Sequence, residues 1–107
     1  YLCGIKLHKK DEFLMSYSLD GFSVGFDFPV IQAETKMQEK MFDELHDLVI
    51  ENKGLVYLAK DSLMKSRHFK KMYNNKLDKF LDCKLKYDPN QFFQSNMYRR
   101  LFLGNNK

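Results

Sequence analysis

The sequence predicts an α+β chain: an antiparallel sheet covered by a long amphipathic helix and followed by a helical C-terminal segment. Three patterns carry that expectation. Apolar and small or polar residues alternate from Phe22 to Val30, which is the period of a strand. Apolar residues recur at helical spacing between Thr35 and Lys53. Beyond residue 65, aromatic and aliphatic residues again keep a helical period within a basic stretch.

Taken in order, Tyr1 to His8 reads as a strand, with Cys3, Ile5 and Leu7 on one face and Leu2, Gly4, Lys6 and His8 on the other. Lys9 to Glu12 is a charged connection, Phe13 to Ser18 a short strand, and Asp20-Gly21 a turn dipeptide. In the strand from Phe22 to Val30, Phe22, Val24, Phe26 and Phe28 share one face and Ser23, Gly25 and Asp27 the other, until Pro29 ends the ladder. The second face carries a hydroxyl, a glycine and a carboxylate where bulk would fit. It is either a solvent face with Gly25 at a bulge or a face that leaves room for a ligand.

Thr35 to Lys53 is the clearest helix. Met37, Met41, Leu45, Leu48 and Val49 form its stripe, assigned to packing because thioethers fill gaps well. Thr35 and Gln38 have capping-box spacing, and Gly54 stands where the chain would leave through a left-handed conformation. Leu55 to Ala59 suits a buried strand that empties into Lys60-Asp61-Ser62. A helix then carries Phe69, Met72 and Tyr73, and its basic residues Lys65, Arg67, His68, Lys70 and Lys71 read as a solvated face, since phosphate binding needs convergent charges. Asn74-Asn75 breaks that helix, Leu77 to Lys86 resumes it, Asp88-Pro89 starts another with Gln91 in its capping box, and Ser95 caps a last short one.

Composition bounds the function. The 107 residues are enough for one core, and 18 basic against 14 acidic residues leave a charge of +4, short of a dedicated nucleic-acid binder. The longest apolar runs fall far below the ~20 residues that cross a bilayer. Cys3 and Cys83 lack a His or Cys pair at metal-ligand spacing, so neither a metal site nor a disulfide scaffold is expected, and free thiols point to the cytoplasm. Tyr1 is no initiator and already lies within a strand pattern, so a fragment of a longer protein is expected. There is no paired-carboxylate site, no Ser, His and Asp set in recognisable context, and no glycine-rich phosphate loop. Lys6 and Lys60, each on or at the end of a predicted strand beside a small residue, are the candidate donors to a developing anion, and Tyr57 could add a hydroxyl. A strand-end lysine is, taken alone, more often a surface charge.

In order and spacing the chain resembles the C-terminal part of FAD-linked oxidases of the vanillyl-alcohol-oxidase type. The matching residues are Gly4-Ile5-Lys6, then Gly21-Phe22-Ser23-Val24-Gly25-Phe26-Asp27-Phe28-Pro29, then Tyr57-Leu58-Ala59-Lys60-Asp61-Ser62 with Phe69 and Met72-Tyr73. Asp88-Pro89, Phe93, Ser95, Met97, Arg99, Arg100 and Leu101 follow near the end. Within the family, the likeness is greatest to the decaprenylphosphoryl-ribose 2'-oxidase-like branch. The resemblance implies that residues 1–54 end a substrate-binding, or cap, domain, and that residues 55–107 return to the FAD-binding domain of a two-domain flavoenzyme. It implies hydride transfer from a sugar-like or other alcohol substrate to flavin N5, with the cofactor supplying the electron chemistry. Lys60 would be catalytic and, with Tyr57, approach the cofactor; Lys6, Ser23, Gly25 and Tyr57 would bind substrate, and Asp61 and Ser62 would cap the next helix. FAD would be bound mainly by an N-terminal domain absent from this chain, so the chain alone should be inactive.

Ser23, Gly25 and Asn74 depart from residues found in some relatives, an amide, a cysteine and a proline, which leaves the substrate open. The implied partners are a small sugar-like or lipid-linked substrate and the N-terminal FAD domain, not nucleic acid, with membrane association only through the substrate; self-association of the piece is compatible with this. The alternative is a stand-alone α+β binding module for a protein or nucleic acid, stacking partners on Phe22, Phe26 and Phe28. Coverage of those rings by the striped helix would count against it.

Overall fold

The computed structural model describes residues 3–29 and 31–104. The expected calls on Tyr1, Leu2 and Val30 lie outside the described residues. The chain is mixed helix and strand, with a two-stranded antiparallel sheet of β1 (Cys3–His8) and β2 (Gly21–Phe26), followed by α1 (Thr35–Glu51), α2 (Ser66–Tyr87) and α3 (Asn96–Leu101). The register pairs Cys3 with Phe26, Gly4 with Gly25, Ile5 with Val24, Lys6 with Ser23, Leu7 with Phe22 and His8 with Gly21. Opposed residues share a face in an antiparallel ladder, so the alternation read from each strand separately converges on the same two faces.

The expected strand over 13–18 is a turn. The Asp11 carboxylate accepts the Phe13 amide (3.0 Å) and the Ser16 hydroxyl (2.7 Å), and the Ser16 amide donates to the Phe13 carbonyl, a side-chain-organised turn that competes with extended backbone. Residues 9–20 therefore form a long connection that delivers the chain to Gly21, whose φ of 144° glycine tolerates.

α1 starts and stops differently from its expected caps. Thr35 is the first helical residue, and its hydroxyl donates to the Gln32 carbonyl. The Gln38 side chain instead reaches back, donating to the Pro29 carbonyl (2.7 Å) and accepting the Ile31 amide (3.3 Å). At the other end Lys53, not Gly54, is left-handed (φ 55°). The Lys53 and Gly54 amides donate to the Ile50 and Val49 carbonyls, the double closure of a Schellman motif. Gly54 is needed for closeness, since a Cβ there would lie 2.9 Å from Val49 Cγ1.

The helix does not cover the sheet within the described chain, which corrects that part of the expected fold. Phe22 is 75% and Phe26 62% exposed, and Met37 of the expected stripe is 65% exposed. The inward face of α1 is rotated to carry Met41, Phe42 and buried His46. Contact with the sheet's end runs through Phe28 on Phe42, ring centroids 5.3 Å apart. The radius of gyration, 15.0 Å, exceeds the ~13 Å of a compact domain this size, as a sheet standing off the helices requires.

The core lies where residues 55–64, α2 and α3 converge, around Leu58, Met64, Phe69, Tyr73 and Leu101. Leu55–Ala59 is not a strand: the Tyr73 hydroxyl donates to the Val56 carbonyl (3.0 Å) and the Lys60 amide closes a turn on the Tyr57 carbonyl (3.1 Å). The run is apolar because it packs into this core. α2 passes through Asn74-Asn75 unbroken. Both asparagines are exposed, their helix propensity costs only ~0.7 kcal/mol each, and buried Tyr73 with half-buried Leu77 anchor the helix on either side.

No helix begins at Asp88-Pro89. The Asp88 carboxylate takes the Phe92 (2.8 Å) and Phe93 (3.1 Å) amides and the Lys84 ammonium, and Gln91 is left-handed (φ 53°), so the segment closes on itself as a loop. The Lys84 hydrogen bond holds the Asp88 carboxyl below the usual range, against the opposing effect of burial. Ser95 caps α3 as expected, accepting the Tyr98 amide at 3.1 Å.

Candidate active site

Three of the five expected site residues meet through strand register. Lys6 lies opposite Ser23, and Gly25 opposite Gly4. The glycine pair makes a strip without side chains: a Cβ at Gly4 would meet nothing within 4 Å, and one at Gly25 only the Gly4 carbonyl at 3.8 Å. Gly25 belongs to the regular ladder, so the bulge does not account for it. Next to the strip along the strands stand Lys6 and Ser23, two residues whose side chains can donate.

Tyr57 is tied to this face by residues that the sequence reading did not single out. His8 Nε2 and Ser23 Oγ share a 2.7 Å hydrogen bond. The His8 ring meets Tyr17 edge-on at 5.2 Å, and Tyr17 lies 4.5 Å from Tyr57 between centroids. Parity already placed His8 on the Lys6 face; its role required the register. Lys60 shares a turn with Tyr57 through its backbone, but its exposed ammonium makes no hydrogen bond or ion pair with a described residue, and nothing brings it onto the strand face.

The turn that presents Lys60 is firmly built. Asp61 Oδ1 accepts the Leu63 (2.8 Å) and Met64 (2.7 Å) amides, and Asp61 Oδ2 accepts from His46 Nε2 (2.6 Å). Asp61 thus organises residues 61–64 rather than capping the next helix, which starts at Ser66 after Lys65 without a side-chain cap. Burial works to raise the Asp61 carboxyl, but the hydrogen bonds from His46, Met64 and Leu63 outweigh it and leave it below the usual carboxylate range. Arg100 completes the brace, donating to the carbonyls of Asp61 (3.0 Å) and Met64 (2.9 Å). An open cleft of about 850 Å³ beside this turn is lined by Ala59, Asp61, Ser62, Arg99 and Arg100 among others.

Behind the turn, α1 and α2 bring Asp43, His46 and His68 together, with one possible ligand atom of each within 4.8 Å of the others. The expectation of no metal-ligand grouping rested on cysteine spacing, and these residues are joined only by tertiary packing. Burial, and then the charges of Arg67 and His46, push the His68 imidazole down against the opposing carboxylates of Asp47 and Asp43.

The bare strip leaves room for a flat ligand on this face of the sheet, and comparison with known proteins assigns the chain to the FAD-linked oxidoreductases. A family model described as D-arabinono-1,4-lactone oxidase matches residues 13–101, and the chain belongs to that family. Decaprenylphosphoryl-beta-D-ribose oxidase of Mycolicibacterium smegmatis is 34% identical over 89 residues. That alignment takes in 83% of this chain and 18% of the relative, so the chain spans less than a fifth of the length of that curated protein. The family implies a flavin cofactor, and the Gly4–Gly25 strip leaves this side of the sheet unfilled.

Proposed function

We propose that the protein containing this chain is an FAD-dependent oxidoreductase that oxidises an alcohol of a sugar-like substrate, and that this chain supplies the substrate side of the site. The family match over residues 13–101 carries the reading. FAD, when bound, supplies the ring that accepts the electrons. Residues 1–54 would act as the end of the substrate-binding domain and residues 55–107 as the return into the FAD-binding domain. Gly4 and Gly25 leave the substrate room to lie against the strands, while Lys6 and Ser23 donate to its oxygens. His8 orients the Ser23 hydroxyl, and Tyr57 closes the edge. Lys60 holds negative charge as it develops on the substrate oxygen. The substrate is sugar-like, free or lipid-linked, and a lipid-linked one would bring a cytoplasmic enzyme to the membrane surface.

The test is a visible spectrum of the intact protein followed by anaerobic addition of sugars and lactones. A flavin spectrum that bleaches with one class of compound is expected. Absence of flavin after reconstitution with FAD would reduce the family likeness to ancestry.

Gly25→Leu separates the ligand face from a solvent face. The backbone there accepts a side chain, so the protein should fold, while the filled strip should raise the Michaelis constant on the order of 10–100-fold with a smaller change in kcat. An unchanged Michaelis constant would return Gly25 to solvent.

The exposed Phe22 and Phe26 favour a second reading, a binding module that stacks a partner on this face, because helix α1 does not cover these rings in the described chain. Oligonucleotide binding that weakens steeply with salt would support it. On the first reading the face is covered by the rest of the oxidoreductase, and no such binding is seen.

A further inference from the structure

We infer that Asp43, His46 and His68 form a binding site for a divalent transition-metal ion of the zinc class, separate from the flavin site. Asp43 and His46 are three residues apart on α1, a spacing that puts both on one helix face, and His68 lies in the first turn of α2. His46 is 3% and His68 0% exposed. Yet His46 Nδ1 and both nitrogens of His68 have no hydrogen-bond partner among the described residues. Buried polar atoms are almost always paired, so two neighbouring buried imidazoles that each carry an orphaned nitrogen call for a ligand between them.

The surroundings are those of a metal site. His46 Nε2–H donates to the Asp61 carboxylate (2.6 Å), which leaves Nδ1 as the nitrogen available to a ligand; a carboxylate behind a histidine is the usual outer partner of a metal-binding imidazole. Asp47 Oδ1 stands 3.6 Å from His68 Nε2 as a second such carboxylate. Asp43 divides its oxygens: Oδ2 is held by Lys65, with Arg67 at 3.7 Å, and Oδ1 faces His68 Nδ1 at 4.0 Å. Around the two imidazoles stand three carboxylates, Asp43, Asp47 and Asp61, and two basic side chains, Lys65 and Arg67. Two imidazoles and one carboxylate form a donor set of zinc and its neighbours rather than of calcium or magnesium. Side-chain rotations that close the group around ~2.0–2.2 Å bonds would pair every orphaned site but one, and solvent would complete the coordination. The ion would clamp α1 to α2 and, through Asp61, stiffen the turn that carries Lys60.

The test uses intact protein stripped with a chelator, dialysed against Zn2+ and analysed for bound metal, a readout independent of flavin and turnover. One equivalent is expected. Asp43→Asn and His68→Asn should weaken retention by at least about 100-fold and Asp61→Asn by about 10–100-fold. The Asp43 side chain is 22% exposed, so Asp43→Asn decides the matter if the His68 variant does not fold. Folded protein that retains no Zn2+, or retention unchanged in Asp43→Asn, overturns the site.

Discussion

Lys60→Ala in the intact protein is expected to leave FAD bound and to cut turnover by about 10²–10³-fold, the loss that follows removal of one preorganised donor to a developing oxyanion. The fold gives the truncation little else to disturb. The Lys60 ammonium has no partner among the described residues, and its turn is held from the backbone by the bond to Tyr57 and from beyond by Asp61 and Arg100. An exposed side chain of this kind changes stability by no more than ~0.5 kcal/mol. Flavin content by absorbance and kcat by anaerobic reduction therefore separate the two effects. Full flavin with depressed turnover identifies a catalytic group, whereas near-normal turnover removes Lys60 from the site.

Elements set by a local period were readable from the sequence. Alternation is a property of each strand alone, so Gly4 with Lys6 and Ser23 with Gly25 could each be set on one side of their own strand, while joining the two sides required the register. What one element packs against is not local. The period of α1 shows that it has an apolar side, but Met37 lies outside the buried face and His46 inside it. The position of His46 four residues after Phe42 and three before Val49 was the available signal. Asn74-Asn75 reads as a break only while the anchoring of Tyr73 and Leu77 is unknown, and Leu55–Ala59 reads as a strand only while the core that buries it is unknown. The Asp43, His46 and His68 group and the Arg100 brace join residues more than 20 positions apart, beyond the reach of spacing.

Phe69→Ala is expected to cost about 3–5 kcal/mol, the range for emptying a buried aromatic site. Phe69 is fully buried, its ring 4.7 Å from that of Phe102 and 5.3 Å from that of Tyr73, and neither partner can collapse into the space without leaving the rest of the core. Against a typical domain stability of ~5–15 kcal/mol, the loss should appear as a large fall in the urea midpoint followed by far-UV circular dichroism. Phe22→Ala provides the contrast, for the same ring is deleted from a side chain that the described chain leaves three-quarters exposed. If solvent is its surroundings in the intact protein, the change is within ~0.5 kcal/mol. If the rest of an oxidoreductase covers the sheet, the cost rises toward that of Phe69, because the face then belongs to a core that this chain only half contains. A Phe22 cost near zero would free the aromatic face for a partner and weigh for the binding module; a cost of several kcal/mol would mark it as the seam along which this chain joins the remainder of the enzyme.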